Sequence, residues 1–156
     1  MAFNSRISGG GSGGVGGGAG SSSVPTLFVL GDTLGNHVTS STSYVDIDAA
    51  YSVDIPAVAG DVLEMIFECE ITHSTSQTTV FTFNVGASGD LDPETGVAGT
   101  GEQVCCVHYH TVQGGDVSGG TVTVTARFRT DSGTATVLNT STFNRGPKFS
   151  AKNLGQ

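Results

Sequence analysis

The sequence contains no tryptophan and no apolar run long enough to cross a membrane as a helix, which takes about 18 residues. Its first residues, MAFNSRIS, also lack the apolar core of a secretory signal peptide. These absences predict a protein that is made in the cytoplasm and has no membrane partner.

Positive charge is scarce along most of the chain. Lysine and arginine number six, and none lies between Arg6 and Arg127, although thirteen of the fourteen acidic residues lie there. Because such an acidic body repels a phosphate backbone, we expect no binding to nucleic acid. Both ends are basic, with Arg6 at one end and Arg145, Lys148 and Lys152 at the other.

Cysteine is also rare, and the three residues are Cys69, Cys105 and Cys106. Their number is odd, and the adjacent Cys105 and Cys106 could pair only through a strained ring. We therefore predict reduced thiols, most of them buried.

The abundant residues are glycine, valine, threonine and serine, a composition typical of β proteins. From Val24 onward, short apolar runs alternate with turn residues about every ten positions, which indicates an all-β sandwich or barrel. No segment has a convincing helical period. We predict about eight strands, near residues 26–30, 44–48, 51–55, 62–72, 79–85, 104–112, 121–129 and 134–138.

Alternation within these strands predicts which side chains face inward. In the strand near 62–72, one side carries Leu63, Met65, Phe67, Cys69 and Ile71, and the other carries Glu64, Ile66, Glu68 and Glu70. Two sheets with one apolar face each bury those faces by stacking, so we predict a β-sandwich. About eight strands favour a single jelly roll, and an immunoglobulin-like topology is the alternative.

The composition divides the chain into four parts. These are an anchor peptide at 1–7, a flexible glycine-rich arm at 8–23, the sandwich at 24–144 and a basic tail at 145–156. The arm cannot bury enough apolar surface to offset its ordering entropy, so we expect a flexible tether. In the anchor peptide, Phe3, Arg6 and Ile7 are the side chains able to grip a partner.

The sequence of the arm also matches two active-site motifs. Gly9, Gly11 and Gly14 satisfy a dinucleotide-binding pattern, and Ser12 lies within a G-x-S-x-G pattern. Both patterns require a strand before them and a helix after them, and neither is predicted here. We interpret the two matches as chance products of a glycine run.

His108 and His110 are the candidate metal ligands, because alternate residues of a strand share a face. The sequence His108-Tyr109-His110 is similar to the cupin metal motif, but no glutamate follows the second histidine at the expected spacing. A third ligand would have to come from Asp116 or from the glutamates at 64, 68 and 70. The favoured interpretation is a solvated or subunit-facing pair with no metal or other cofactor.

Two acidic features each allow two interpretations. The loop from Gly89 to Gly96 offers three carboxylates, which could bind calcium but which fit an acidic surface loop better, since the EF-hand spacing and flanking helices are lacking. The glutamate stripe at 64, 68 and 70 is either a solvated face or a partner surface, and Ile66 in its middle favours contact.

The two remaining histidines do not indicate catalysis. His37 is expected in a turn and His73 at a strand end, and neither lies in a motif typical of a known reaction. We therefore predict that the protein is not an enzyme.

The segment from His37 to Ile71 resembles the jelly-roll modules of bacteriophage structural proteins, which include head decoration proteins and fibre tips. The matching motifs are Tyr44-Val45-Asp46, then Ser52 to Ala57, then Gly60-Asp61-Val62-Leu63. In this layout a Pro and Gly turn closes a hairpin, and Asp61 can cap the turn's amides. Later, Gly119-Gly120 before Thr121 resembles the final hairpin of these modules.

The resemblance implies homotrimers and two possible roles in a virion. The favoured role is a capsid decoration or cement protein on the capsid exterior. It would bind the major capsid protein through Phe3, Arg6, Ile7, Arg145, Lys148 and Lys152. The alternative is a receptor-binding fibre tip, whose loops at 86–101 and 113–120 would bind a glycan. A fibre normally has a shaft between anchor and head, and only a tether is present here, which favours cement.

Overall fold

The computed structural model describes residues 35–74, 77–92, 95–98, 101–139 and 146–156. The predicted strand at 26–30, the glycine-rich arm and the anchor peptide lie outside this part of the chain. Within the described residues the structure is all β, interrupted by three short 3-10 turns, and contains no α-helix. Accordingly, no helix in this part has the length and apolar character needed to cross a membrane.

Eleven strands are present in the described residues. They are β1 His37–Thr39, β2 Val45–Asp46, β3 Ser52–Pro56, β4 Val62–His73, β5 Thr78–Val85, β6 Gly89–Asp90, β7 Thr95–Ala98, β8 Glu102–Thr111, β9 Thr121–Thr130, β10 Ala135–Leu138 and β11 Lys148–Asn153. The 3-10 turns are Ala49–Tyr51, Gly86–Ser88 and Gly114–Asp116.

The strands form two antiparallel sheets with a nested order of pairing. In sheet A, β1 pairs with β10, β10 and β11 pair with one side of β4, and β8 pairs with its other side. In sheet B, β2 and β3 pair with β9, β9 pairs with β5, and β6 and β7 pair with β5. The partners β1–β10, β3–β9, β4–β8 and β5–β7 lie one inside the next along the chain. This nesting is a jelly roll, which confirms the predicted topology over the immunoglobulin-like alternative.

The core lies between the two sheets, where the predicted inward faces meet. Leu63, Met65, Phe67, Cys69 and Ile71 are all buried, as alternation predicts. Phe67 stacks on Phe81 with ring centroids 5.9 Å apart, and Phe81 stacks on Phe128 at 6.2 Å. Because Phe67 belongs to sheet A and Phe81 to sheet B, the first of these contacts joins the two layers, and the second continues the row of rings within sheet B.

The C-terminal part differs from its prediction as a basic tail. Residues 148–153 form β11, which extends sheet A alongside β4, with Phe149 opposite Phe67 and Ala151 opposite Met65. Phe149 and Ala151 are buried while Lys148 is exposed. The tail prediction was therefore wrong for this segment, since its alternating apolar residues complete the core.

The turns around the sandwich also differ from the predicted hairpins. Residues 57–61 lead from β3 in sheet B to β4 in sheet A, so this Pro and Gly turn crosses between the layers. Gly119-Gly120 likewise lies on a crossing, from β8 in sheet A to β9 in sheet B. The predicted cap is present, because the Val58 amide donates to Asp61 Oδ2 at 3.0 Å. The predicted loop at 86–101 contributes two short strands, β6 and β7.

Candidate functional site

Of the six predicted contact residues, the structure describes two. Phe3, Arg6, Ile7 and Arg145 lie outside the described residues. Lys148 and Lys152 are four positions apart on β11, so their side chains lie on the same face, which is the outer face of sheet A. The lysines expected on a tail therefore lie on a rigid sheet, where their spacing is set by the ladder.

The predicted glutamate stripe lies on the same outer face. Glu64 faces Lys152 on one side and Tyr109 on the other. The Lys152 ammonium forms an ion pair with the Glu64 carboxylate, and the Tyr109 hydroxyl donates to it at 2.8 Å. These hydrogen bonds, first from Lys152 and then from Tyr109, lower the pKa of Glu64. Glu64, the first residue of the stripe, is thus bound to both neighbouring strands.

Apolar side chains occupy the middle of this face. Ile66 lies opposite Val107 in the ladder, and Val107 and Tyr109 expose 43% and 63% of their surface. Cys105 is exposed beside Val107 on β8. An apolar centre within charged residues is a common composition of a contact surface. We call the surface formed by Ile66, Cys105, Val107 and Tyr109 the β8 patch.

The outer face of sheet B is polar, and its side chains bind one another. Arg127 forms ion pairs with Asp46 and Asp90, at 2.9 and 2.8 Å. Thr123 donates to Asp54 at 2.6 Å, and the hydroxyls of Ser52 and Thr125 lie 2.7 Å apart. Because these groups are satisfied within the chain, this face has the character of a solvated surface.

The histidine pair lies on the inward side of β8, which corrects the prediction of a solvated or subunit-facing pair. His108 is 6% exposed and packs edge-on against Phe83 of the opposite sheet, with ring centroids 5.5 Å apart. Burial lowers the pKa of His108. The physical reason is register: β8 places its even-numbered residues toward the core. Among the described residues, no cluster of three or more potential ligands could hold a metal.

His110 contacts Asp116, the residue considered as a third ligand. Its Nε2 lies 2.8 Å from Asp116 Oδ2, and the amides of Gln113 and Ser88 donate to the same carboxylate at 2.9 and 2.8 Å. Burial raises the pKa of Asp116, but these hydrogen bonds outweigh it and lower the pKa to about 2. The carboxylate therefore joins two loops, at 86–88 and 114–116, at one end of the sandwich.

Gly86 makes that junction possible. Its φ is +44°, and a side chain there would place a Cβ 2.6 Å from the carbonyl oxygen of Asp116. Only glycine allows this close approach of the two loops.

The predicted calcium loop is used differently in the structure. Asp90 accepts two hydrogen bonds from Arg127 and one from Asn84, so its carboxylate is already bound within the chain. Asp92 is exposed, and Glu94 lies outside the described residues. The described part of the loop thus supports the interpretation as an acidic surface.

The cysteines are unpaired, as predicted, with Cys69 and Cys106 buried and Cys105 exposed. Burial and then the nearby Glu68 carboxylate raise the pKa of Cys105, so its reactive thiolate form is disfavoured at neutral pH. Cys105 borders an open cavity of about 400 Å³, which is also lined by Glu68, Glu70, Gln103 and Lys148.

One histidine contacts a hydroxyl in a way that resembles a nucleophile and its base. His73, at the end of β4 as predicted, places Nε2 2.6 Å from Thr79 Oγ1. Thr79 is fully buried, so its hydroxyl cannot reach a substrate. His37, expected in a turn, instead begins β1 and packs against Tyr51 at 5.4 Å.

Sequence reasoning missed the β8 patch and the placement of the two lysines on the same outer face of sheet A. A usable signal was present, because K-F-S-A-K-N alternates with the period of a strand. The same period in Q-V-C-C-V-H-Y-H places Cys105, Val107 and Tyr109 on one face. The alternation does not show which strands are adjacent. Only the pairing in the structure shows that β8 and β11 lie on either side of Glu64 and Ile66.

Comparison with known proteins gives a limited result. No protein-family model matches the chain, and none of the curated proteins matches it. Among solved structures, it is similar to the crystal structure of the infectious bursal disease virus VP2 subviral particle, with 12% sequence identity and a TM-score of 0.41. The match covers 85% of this chain and 38% of that chain. The jelly-roll assignment rests on the strand pairing described above.

Proposed function

We propose that this chain is a virion structural protein, a capsid decoration or cement protein that trimerises on the outside of a bacteriophage shell and acts without enzymatic chemistry. The observation that carries the proposal is a jelly-roll body that follows, in the sequence, a long glycine-rich arm and the anchor peptide with Phe3, Arg6 and Ile7. The sequence resemblance of residues 37–71 to phage jelly-roll modules supports the same role.

The arm would act as a staple between neighbouring capsomers. Its sixteen residues, 8–23, can reach about 50 Å when fully extended. Phe3 and Ile7 would bind an apolar site on the major capsid protein, and Arg6 would pair with an acidic group there. The acidic body would contribute little to binding at this acidic and apolar site. The anchor peptide would therefore supply most of the specific binding.

Deleting residues 1–20 tests the staple. We expect the truncated protein to keep its melting temperature and its trimer, because the first described strand begins at His37, and to lose shell binding in a sedimentation assay. A matched control replaces residues 8–20 with another Gly/Ser sequence of equal length and keeps the anchor peptide. That control should bind as the wild type does. Undiminished shell occupancy by the truncated protein would contradict the proposal.

The second candidate is a glycan-binding fibre tip. It is supported by the contact between the loops at 86–88 and 114–116, which gives one end of the sandwich a composite loop surface held by Asp116. A glycan array probed with the full chain tests it. Specific binding that Ser88→Tyr abolishes, together with absence from purified shells, would favour this candidate over cement.

A further inference from the structure

The four edges of the two sheets differ in how they are protected. An exposed edge strand offers unpaired backbone groups to other chains, and proteins usually blunt it with short strands, proline, charge or bulges. In the described residues, β1 has three residues, and β11, on the same side of sheet A, has six that include Lys148 and Lys152. In sheet B, β2 and β3 are separated by a 3-10 turn and end at Pro56, and β6 and β7 have two and four residues. Those three edges are therefore short, broken or marked by lysines.

The remaining edge, β8, has none of these devices. It runs for ten residues, Glu102–Thr111, and pairs with β4 in one unbroken register without a bulge. It contains no proline, glycine, lysine or arginine, and its one carboxylate, Glu102, is at its start. No described strand pairs with its other side. A long, regular edge of this kind is the form that strand addition uses.

The backbone groups that face the open side can be identified. The Val112 amide donates to the Asp61 carbonyl at 2.8 Å, so even-numbered residues on this ladder bind the β4 side. Residues 105, 107, 109 and 111 therefore turn their N–H and C=O groups toward the open side. Three of these residues, Cys105, Val107 and Tyr109, also belong to the β8 patch.

We propose that β8 of one chain pairs with β8 of a second copy, antiparallel about a two-fold axis at Val107. In this register Val107 lies opposite Val107 of the second copy, and Cys105 lies opposite the second copy's Tyr109. The two Ile66–Val107 pairs then form one continuous apolar row across both sheets. A two-fold contact pairs a surface with itself, so one strand suffices to form it.

Charge is compatible with a second copy as the occupant. The strand itself brings no like charges into opposition, because Glu102 falls beyond the paired length in this register. Glu68 and the second copy's Glu64 are three strand spacings apart, about 14 Å, which exceeds the screening length of about 8 Å at physiological salt. Both copies are net negative, however, so association should strengthen as salt is added. This contact is separate from the proposed trimer and does not depend on the proposed function.

Two matched lysine variants of the full chain test the pairing. Val107→Lys places two ammonium groups on the two-fold axis, whereas Val38→Lys changes a valine that is 61% exposed at the opposite edge of the same sheet. We expect Val107→Lys to weaken pairing about a hundredfold or more and to halve the mass seen by light scattering. Val38→Lys should pair as the wild type does. Equal behaviour of the two variants, or a wild type that does not pair, would overturn the inference.

A cross-link makes the test independent of any loss of folding. In the Cys105→Ser background, Val107→Cys should form a disulfide between copies under mild oxidation, because opposed hydrogen-bonded residues have Cα atoms about 5.5 Å apart. Val38→Cys should not. If a shell-protein strand or another segment of the chain covers β8, neither cross-link forms and the inference fails. Shell binding is scored separately: a paired protein that does not bind shells contradicts the proposed function alone.

Discussion

At the scale of single residues, two aspartates hold loops together at one end of the sandwich. Asp61 accepts from the Val58 amide and from Asn153 Nδ2, at 3.0 and 2.7 Å. Asp116 accepts from His110 and from the amides of Gln113 and Ser88. The Asp61 cap spans three positions, so the turn sequence predicted it. The contact of Asp116 with Ser88 spans 28 positions and only the fold creates it.

Asp116→Asn should destabilise the protein in a pH-dependent way. The folded pKa of about 2 lies below the usual value, so the carboxylate contributes stability above about pH 4, and this contribution is lost as the pH falls through about 2. We expect a loss of about 2 kcal/mol at pH 7 in urea unfolding, and a smaller loss at pH 2. The exposed Glu102→Gln serves as the control and should change stability by less than about 0.5 kcal/mol. An equal loss at both pH values would contradict this account.

At the scale of elements, β11 shows how an apparent tail becomes part of the core. Phe149 is fully buried and stacks on Phe83 with centroids 6.2 Å apart. Asn153, at the end of the same strand, donates to the Pro56 carbonyl at 3.0 Å and to Asp61. Beta11 therefore connects sheet A to the turn that leaves sheet B.

Phe149→Ala should cost about 3–5 kcal/mol of unfolding free energy, because it leaves a cavity between the two sheets. Lys148→Ala, at the adjacent outward position, should cost less than about 0.5 kcal/mol. Chemical denaturation of both variants measures the difference. A Phe149→Ala protein as stable as Lys148→Ala would mean that residues 148–153 behave as the predicted tail.

At the scale of the whole molecule, the nested pairing places distant parts of the chain side by side. His37 of β1 pairs with Val137 of β10, 100 positions away. Because the loop-closure entropy must be lost before such contacts form, jelly rolls fold slowly for their size. Among the described strands, the same nesting makes β8 the last strand on one side of sheet A.

Refolding from urea should therefore take milliseconds to seconds or longer. Stopped-flow fluorescence of the tyrosines under reducing conditions measures it. The truncated protein lacking residues 1–20 should refold at the same rate, because the nested ladders of the described strands begin at His37. Complete refolding in less than a millisecond would contradict a rate set by the nested ladders.

The sequence by itself determined the all-β class, the inward face of β4, the reduced cysteines and the Asp61 cap. Each follows from local pattern, because alternation and turn chemistry act over a few residues. The tertiary structure decided the inward direction of His108, the loop contact of Asp116, the place of β11 in sheet A and the position of β8 as the last described strand on one side of that sheet. These depend on register and neighbours from distant parts of the chain, which no local pattern specifies.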